Sequence, residues 1–256
     1  MSHTIKTVNS VGEGNVKVVS QIAKAEIKTM FGVHGFAPAG GGGGESITSL
    51  DQLTELGSGL GFGAPTPDDG RTGILRTNGT NGWASPAACG GYTNAYVTEL
   101  GDEGCYFEIK QTINQLTPTG FNYMFGLAYV DDATASPFTY TWLDWALFCP
   151  GGGGWKIYES GVNTDGDTTV AAGFVADRSW RVSVDSDGLV SYLYSDDDFQ
   201  TSALVSNVRD GTSATTCVVP RASDGSYLVG AFALWTGSPA TLVLENVVLN
   251  GTLGGI

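Results

Sequence analysis

The chain lacks several features that catalytic and membrane proteins need. Its two histidines, His3 and His34, fall in the first 38 of 256 residues. Residues 71–256 therefore cannot contain a Ser-His-Asp triad or a histidine acid or base. No apolar run approaches the ~20 residues that span a bilayer, and Met1–Val19 has no apolar signal-peptide core. We expect synthesis in the cytoplasm, without membrane insertion.

Basic residues are also scarce, and they are unevenly placed. Twelve Lys and Arg stand against 26 Asp and Glu, for a net charge of −14. Residues 1–38 hold four lysines and two glutamates, whereas residues 39–256 hold eight basic and 24 acidic residues. An acidic body repels phosphate, so we expect no nucleic-acid partner. The alternative interpretation, that the acidity only keeps an abundant protein soluble, is the simpler one.

The cysteines show no metal-binding spacing. Cys89, Cys105, Cys149 and Cys217 are far apart and include no C-x-x-C pair. In a chain without an export signal we expect reduced thiols, with Cys105 and Cys149 buried in strands.

What the sequence does contain, from residue 71 onward, is alternation of apolar and polar residues with a period of two. In 179–185, for example, Trp180, Val182 and Val184 alternate with polar residues. This period, with aromatic enrichment and Gly/Asp/Asn turns, predicts an all-β antiparallel sandwich over residues 71–256. The expected strands are 74–77, 105–109, 121–129, 139–149, 155–160, 168–175, 179–185, 189–194, 202–206, 217–220, 227–235 and 241–250.

Residues 1–38, here called the leader, are too short to fold alone, and we predict a docking segment. Ala23, Ile27 and Met30 have the spacing of one helix face, although the alternation over 23–28 also suits a strand. We favour a short helix, which is marginal in water unless it packs on a partner. The predicted docking residues are Ile22, Ala23, Ile27, Met30 and Phe31.

Residues 39–70 are rich in Gly, Ser and Pro and include five consecutive glycines, Gly40–Gly44. This composition predicts a linker between the leader and the sandwich, with a single helical turn beginning near 49–53.

An ordered series of short phrases in the second half resembles a known fold family. The phrases are Tyr106–Ile109, Phe125–Ala128, Trp155–Gly161, Trp180–Asp185, Gly188–Tyr192 and Leu244–Leu249. Their order resembles that of the concanavalin A-like lectin/glucanase jelly roll, which occurs in many bacterial and phage surface proteins. The resemblance covers residues 71–256 and implies a jelly-roll sandwich, but it says little about function.

The leader adds a second resemblance. Ile22–Lys28, followed by Phe31-Gly32-Val33, is similar to a segment near the start of phage tail-fibre and virion structural proteins. That family implies a particle-facing N-terminus that contacts other virion proteins through residues 1–38. It also implies an outward-facing β domain, often a homotrimer, at the virion surface.

The catalytic pattern of related glucanases is missing. Enzymes of the jelly-roll family carry Glu-x-Asp-x-x-Glu or Glu-x-Asp-x-Glu on one strand. Glu99, Asp102, Glu103 and Glu108 cluster in the sequence without forming either pattern. The carboxylate pair needed for glycoside hydrolysis is therefore not specified, and we expect no enzyme activity.

Two other kinds of site are suggested by residue type. Tyr140, Trp142 and Asp144 combine aromatic rings with a carboxylate and are the predicted ligand contacts, with a host-surface glycan as the expected ligand. Asp165 and Asp167, in an acidic loop, are candidate Ca²⁺ ligands because calcium takes six to eight oxygens. Turn formation is the alternative explanation for these aspartates.

These observations favour a non-enzymatic bacteriophage virion protein, a short tail, baseplate or neck fibre subunit with a glycan-binding head. One alternative is a capsid decoration protein, which would also have a docking arm and an inert β domain. A second is a cellular carbohydrate-binding lectin module. A third is a polysaccharide-degrading enzyme with an unrecognised acidic site.

Overall fold

The computed structural model describes residues 44–47, 50–57, 60–63, 73–77, 89–111, 121–135, 139–149, 155–164, 178–204, 212–236 and 241–254. All of them lie within Ala37–Ile256, the larger of the two units into which the chain divides. The leader with its predicted docking residues and the strand expected at 168–175 lie outside the described residues.

The described residues form 18 strands, one short α-helix and two 3₁₀ turns. The strands are β1 (Glu45–Ser46), β2 (Leu53–Gly57), β3 (Leu60–Gly63), β4 (Gly73–Thr77), β5 (Cys89–Thr93), β6 (Tyr96–Glu99), β7 (Cys105–Gln111), β8 (Phe121–Tyr129), β9 (Trp145–Cys149), β10 (Lys156–Glu159), β11 (Val162–Asn163), β12 (Ser179–Val184), β13 (Leu189–Ser195), β14 (Ala203–Leu204), β15 (Thr212–Thr216), β16 (Leu228–Thr236), β17 (Thr241–Asn250) and β18 (Thr252–Gly254). The helical elements are α1 (Val130–Thr134) and the 3₁₀ turns Leu50–Gln52 and Tyr140–Trp142.

The strands form two sheets, each of nine strands among the described residues. Sheet A has the order β14-β13-β12-β7-β17-β4-β3, with β15 also on β13 and β1 also on β17. Sheet B has the order β11-β10-β9-β8-β16-β5-β2, with β6 on β16 and β18 on β6. The pairings are antiparallel, which confirms the predicted all-β antiparallel sandwich.

The period-two pattern explains how each strand contributes to the core. In β12, Trp180, Val182 and Val184 are buried, whereas Arg181 and Ser183 between them are half-buried. Because successive side chains of a strand point to opposite faces, a strand with this pattern places its apolar set between the sheets. The inward residues of both sheets form one continuous core.

Aromatic contacts join the two sheets at the centre of this core. Trp180 of sheet A stacks on Trp155, which directly precedes β10, with ring centroids 3.8 Å apart. Tyr123 of β8 meets Trp155 edge-on at 5.4 Å. Phe107 of β7 lies against Gly230 of β16, where an added Cβ would stand 2.3 Å from the Phe107 ring. The absent side chain at Gly230 thus makes room for Phe107.

The sandwich begins earlier in the chain than the sequence predicted. Residues 39–70 were expected as a linker, but β1, β2 and β3 lie within them and pair with β17, β5 and β4. Strand pairing uses backbone groups that glycine supplies as well as any residue. Leu53 and Leu56 of β2 then pack on opposite faces of sheet B.

Of two further predicted strands, one is shortened and the other is replaced by a loop. The span expected at 139–149 begins with the 3₁₀ turn, in which the Thr139 hydroxyl accepts a hydrogen bond from the Thr141 amide at 3.3 Å, and β9 starts only at Trp145. The span expected at 217–220 is a loop that contains the cis peptide Val219–Pro220. At Thr139 the hydrogen bond to the side-chain hydroxyl stabilises the turn over the extended strand that the sequence pattern predicts.

The contact between Phe107 and Gly230 yields a stability prediction. Gly230→Ala forces the Phe107 ring to shift and should lower the free energy of unfolding by about 1–3 kcal/mol, the usual cost of overpacking. Urea denaturation followed by tryptophan fluorescence measures this change. In a Phe107→Leu background the same substitution should cost clearly less, because the crowded ring is gone. Equal costs in both backgrounds would show that the ring does not set the constraint.

Candidate functional site

The outer face of sheet B, which points away from the core, carries an unusual distribution of side-chain sizes. Its register aligns one row of residues across five strands. The row is Tyr92, Ala231, Gly126, Ala146 and Tyr158. Directly opposite residues of antiparallel strands project to the same face, so small residues form the floor and tyrosines stand at both sides.

A segment of the chain packs onto this floor. Residues 130–144, which connect β8 to β9, contain α1 and the second 3₁₀ turn. Within this segment Ala133 and Leu143 are buried in one apolar cluster with Ala128, Ala146 and other floor residues. The small side chains allow the segment to approach the sheet closely. We call the described residues of this connection, 130–135 and 139–144, the covering segment.

Four aromatic side chains of the covering segment, β9 and β10 are partly exposed and pack against this apolar cluster. They are Tyr140, Trp142, Phe148 and Tyr158, and together we call them the aromatic patch. Phe148 and Tyr158 meet edge-on with centroids 5.3 Å apart, and Tyr140 and Tyr158 do so at 6.5 Å. Such a group of half-buried rings offers apolar faces and phenolic hydroxyls to a ligand.

The hairpin between β10 and β11 fixes the position of the patch. Gly161, in the left-handed region with φ 78°, lies so close to Thr141 that an added Cβ would be 2.5 Å from the threonine methyl. The Ser160 amide donates a hydrogen bond to the Asp144 carbonyl at 3.0 Å. These contacts tie the Tyr140–Trp142 turn to the strand that carries Tyr158.

The Asp144 carboxylate, predicted to act with Tyr140 and Trp142, contacts two groups of the chain itself. Its carboxylate Oδ2 accepts a hydrogen bond from the Tyr129 amide at 2.9 Å. Its Oδ1 lies 3.7 Å from the Arg221 guanidinium, and its side chain is only 17% exposed. Tyr140 and Trp142 belong to the aromatic patch, whereas the Asp144 carboxylate anchors the end of the covering segment.

Arg221 organises a polar cluster around that anchor. Its guanidinium forms an ion pair with Asp132 of α1, lies 3.3 Å from Asp224, and stacks over the Tyr129 ring at 3.6 Å. Burial raises the pKa of Asp144 to about 6, although the Tyr129 amide and Arg221 act in the opposite direction. Desolvation thus outweighs the attraction of a guanidinium that Asp132 and Asp224 already neutralise.

Sequence reasoning missed Phe148 and Tyr158. The signal was available, since each residue alternates with a core residue, Leu147 and Ile157, and so must face outward. The sequence does not reveal the register of β9 on β10. In the structure Phe148 lies opposite Lys156, and this register brings the Phe148 and Tyr158 rings together.

The carboxylates considered for catalysis do not converge. Asp102 and Glu103 are exposed in the turn after β6. Glu108 lies on the outer face of sheet A, where its Oε2 accepts a hydrogen bond from the Arg181 Nε at 3.0 Å. Burial raises the pKa of Glu108, and Arg181 partly offsets this increase. These residues therefore do not form the carboxylate pair of a glycosidase.

No other reactive group stands out among the described side chains. Cys105, Cys149 and Cys217 are buried thiols that form no disulfide with a described residue, and burial raises the pKa of both Cys149 and Cys217 to about 12. Thiols with such values are poor nucleophiles. Within the described ranges, no three His, Cys, Asp or Glu side chains are grouped to hold a metal ion.

Two further expectations concern metal and membrane. The candidate Ca²⁺ ligands Asp165 and Asp167 lie outside the described residues, so that site stays a prediction. Of the helices the structure describes, none has the length and apolar composition needed to cross a bilayer.

Comparison with known proteins finds likeness at the level of the fold. The sequence matches no protein-family model and no curated protein sequence. The T. cruzi calreticulin globular domain is 12% identical, with a TM-score of 0.48, over 81% of this chain and 87% of that chain. The potassium-bound carbohydrate recognition domain of Emp46p is 11% identical, with a TM-score of 0.47, over 81% and 90%. A Bauhinia forficata lectin in complex with GalNAc is 12% identical, with a TM-score of 0.41, over 84% and 99%.

At such low identity these likenesses concern the fold alone. None of the three is described as a virion protein, and the virion assignment, whose leader residues lie outside the described ranges, stays a prediction.

The buried Asp144 carboxylate yields a pH prediction. Its pKa is higher in the folded chain than the usual 3.8, so the folded state binds this proton more tightly than the unfolded chain does. The contribution to stability is full below about pH 4 and is lost as the pH rises through about 6. Asp144→Asn removes this titration. Relative to the variant, the wild type should therefore lose at most about 3 kcal/mol between pH 4 and 7.

Urea denaturation of both proteins at pH 4, 5, 6 and 7 measures this difference. All other titrating groups are shared, so only the difference between the two curves matters. If the wild type instead gains stability relative to Asp144→Asn as the pH rises, the ion pair with Arg221 outweighs desolvation.

Proposed function

We propose that the chain is a non-enzymatic carbohydrate-binding protein whose aromatic patch stacks on the apolar face of a sugar ring. The observation that carries the proposal is that four partly exposed aromatic residues pack against one apolar cluster on the outer face of sheet B, with ring contacts joining Tyr140, Tyr158 and Phe148. Sugar rings present C–H groups on one face and hydroxyls around the edge. Rings with phenolic hydroxyls complement both features.

The glycan-binding proposal is supported by the contacts that hold the aromatic patch in place as well as by its composition. Thr139, Gly161 and the Ser160–Asp144 hydrogen bond restrict the 3₁₀ turn that carries Tyr140 and Trp142. A ligand that meets preset rings loses less binding energy to side-chain ordering than one that must arrange them. Carbohydrate recognition domains also occur among the solved structures of similar fold, but the proposal rests on the side chains.

We further propose that this domain acts at the surface of a virion, held there by residues 1–38. The support is the similarity of Ile22–Lys28 to the start of tail-fibre proteins, together with the need of a short segment for a packing partner. A fibre subunit, trimeric as in that family, is preferred over a capsid decoration protein. A cellular lectin is the alternative if no particle carries the chain.

The glycan proposal predicts a specific loss of binding. Trp142→Ala and Tyr158→Ala should each weaken binding to a glycan selected from an oligosaccharide array by roughly five- to thirtyfold, because aromatic residues at the centre of a contact contribute about 1–2 kcal/mol or more. Isothermal titration calorimetry measures the affinities. Tyr106→Ala, a half-buried tyrosine on the outer face of sheet A, is the matched control and should bind normally. Equal affinities for all four proteins would reject the patch as the site.

The location proposal predicts where the chain is found. A gold-labelled antibody against residues 71–256 should mark tails, necks or capsids of particles from a lysate of the source, as seen by electron microscopy. Deletion of residues 1–44 should abolish the labelling and leave the circular dichroism of the sandwich unchanged. Labelling of cells alone would favour the cellular lectin.

A further inference from the structure

A second group of stacked aromatic rings lies on the same face of sheet B as the aromatic patch. The rings of Tyr96 in β6 and of Tyr227, which directly precedes β16, have centroids 5.1 Å apart and planes inclined by 20°. We call these two residues the tyrosine pair. Tyr96 packs against the outer apolar cluster, whereas the next residue, Val97, belongs to the core between the sheets. Tyr227 alternates in step with Val229, an outer-face residue of β16, so both tyrosines project from the outer face.

The tyrosine pair is accessible, and neighbouring elements hold it in place. Tyr227 is 36% exposed and is the one aromatic residue among the large exposed apolar side chains of the described ranges. Its carbonyl accepts a hydrogen bond from the amide of Val130, the first residue of the covering segment, at 2.8 Å. Gly254 of β18 lies so close to Tyr96 that an added Cβ would stand 3.1 Å from the ring. A ligand therefore meets preset rings here, as it does at the aromatic patch.

The register of sheet B gives the distance between the tyrosine pair and the aromatic patch. Tyr158 of the patch lies in the same row as Ala231 of β16 and three strands away from it, which is ~14 Å at the usual strand spacing. Tyr227 precedes Ala231 by four residues, a rise of ~13 Å along the strand direction. These two displacements are perpendicular, so the pair and the patch are about 20 Å apart.

A single sugar cannot reach across this distance, but a short glycan chain can. Built from bonds of about 1.5 Å, a pyranose unit advances a glycan chain by roughly 5 Å. One sugar therefore occupies either the patch or the pair, whereas a chain of about four or more units reaches both. Once the chain is bound at the patch, its far end meets the pair at a high effective concentration, so the affinity rises without any change at the patch.

We propose that the tyrosine pair is a second sugar contact, and that the glycan bound on this face is a linear chain long enough to occupy the pair and the aromatic patch together. This inference rests on the proposed function, which it extends from one sugar ring to a chain of about four or more units. The exposed ring of Tyr227 stacks on the C–H face of a sugar, and the phenolic hydroxyls of the pair bond its hydroxyls.

The test measures affinity against chain length by isothermal titration calorimetry. The probes are oligomers of glucose, of mannose and of N-acetylglucosamine, and oligomers of any other repeat that the oligosaccharide array selects, each from the disaccharide to the octasaccharide. In a series that binds, the affinity of the wild type should rise about tenfold or more once the chain exceeds about four units. Tyr96→Ala and Tyr227→Ala should each remove most of this rise.

The disaccharide provides the control for folding within the same experiment. Its affinity should be unchanged in Tyr96→Ala and Tyr227→Ala, because the larger aromatic patch dominates the binding of a short sugar. Tyr106→Ala removes a tyrosine from the outer face of sheet A and should keep the full dependence on chain length.

Each result separates this inference from the proposed function. If the wild type binds short and long chains equally through Trp142, the proposed function stands and the inference is overturned. If the two variants weaken all lengths alike, the tyrosine pair acts in packing, and if both variants keep the rise, the chain contacts another surface; either result overturns the inference. If no series binds and Trp142→Ala affects no glycan on the array, both proposals fall.

Discussion

Sheet B is apolar on both of its faces, and this constraint shapes the rest of the molecule. Phe125 and Leu127 point into the core, while Met124 and Ala128 of the same strand point outward and are equally buried. A face of this kind must be covered, because exposed apolar area is unfavourable. Sheet A covers the inner face and the covering segment packs on the outer one. The aromatic patch forms at the border where that cover ends.

The fold could be predicted where burial alone dictates the pattern. In β12 each inward residue is apolar and the residues between them are polar, so the period of two is visible in the sequence. It could not be predicted where the deciding contact is distant or uses only backbone atoms. The strands β2 and β3 lie in a stretch of the chain that is rich in glycine and are held by pairing with β5 and β4. The turn at Tyr140–Trp142 depends on a fit against Gly161.

The candidate site, like the fold, could be predicted from the sequence only in part. Tyr140 and Trp142 could be picked out because tryptophan and tyrosine close together in a sequence are conspicuous. Phe148 and Tyr158 could not be joined to them, since only the register of β9 and β10 brings the rings together. Asp144 was grouped with Trp142 by proximity in sequence, but its carboxylate direction is set by the Tyr129 amide and by Arg221. Adjacent residues thus serve two different purposes.

The cluster of Asp144 and Arg221 explains why an acidic residue is found at the end of an apolar cover. A buried ion pair is seldom more stable than apolar side chains of similar size, and desolvation here leaves the Asp144 carboxylate costly to ionise. The cluster of Asp144 and Arg221 instead fixes the position of the covering segment. A floor of glycine and alanine offers few features that fix a segment lying across it, whereas the hydrogen bond that the Tyr129 amide donates holds the Asp144 carboxylate in one place. The polar anchor therefore sets the register of the covering segment, and with it the positions of Tyr140 and Trp142 over β9 and β10.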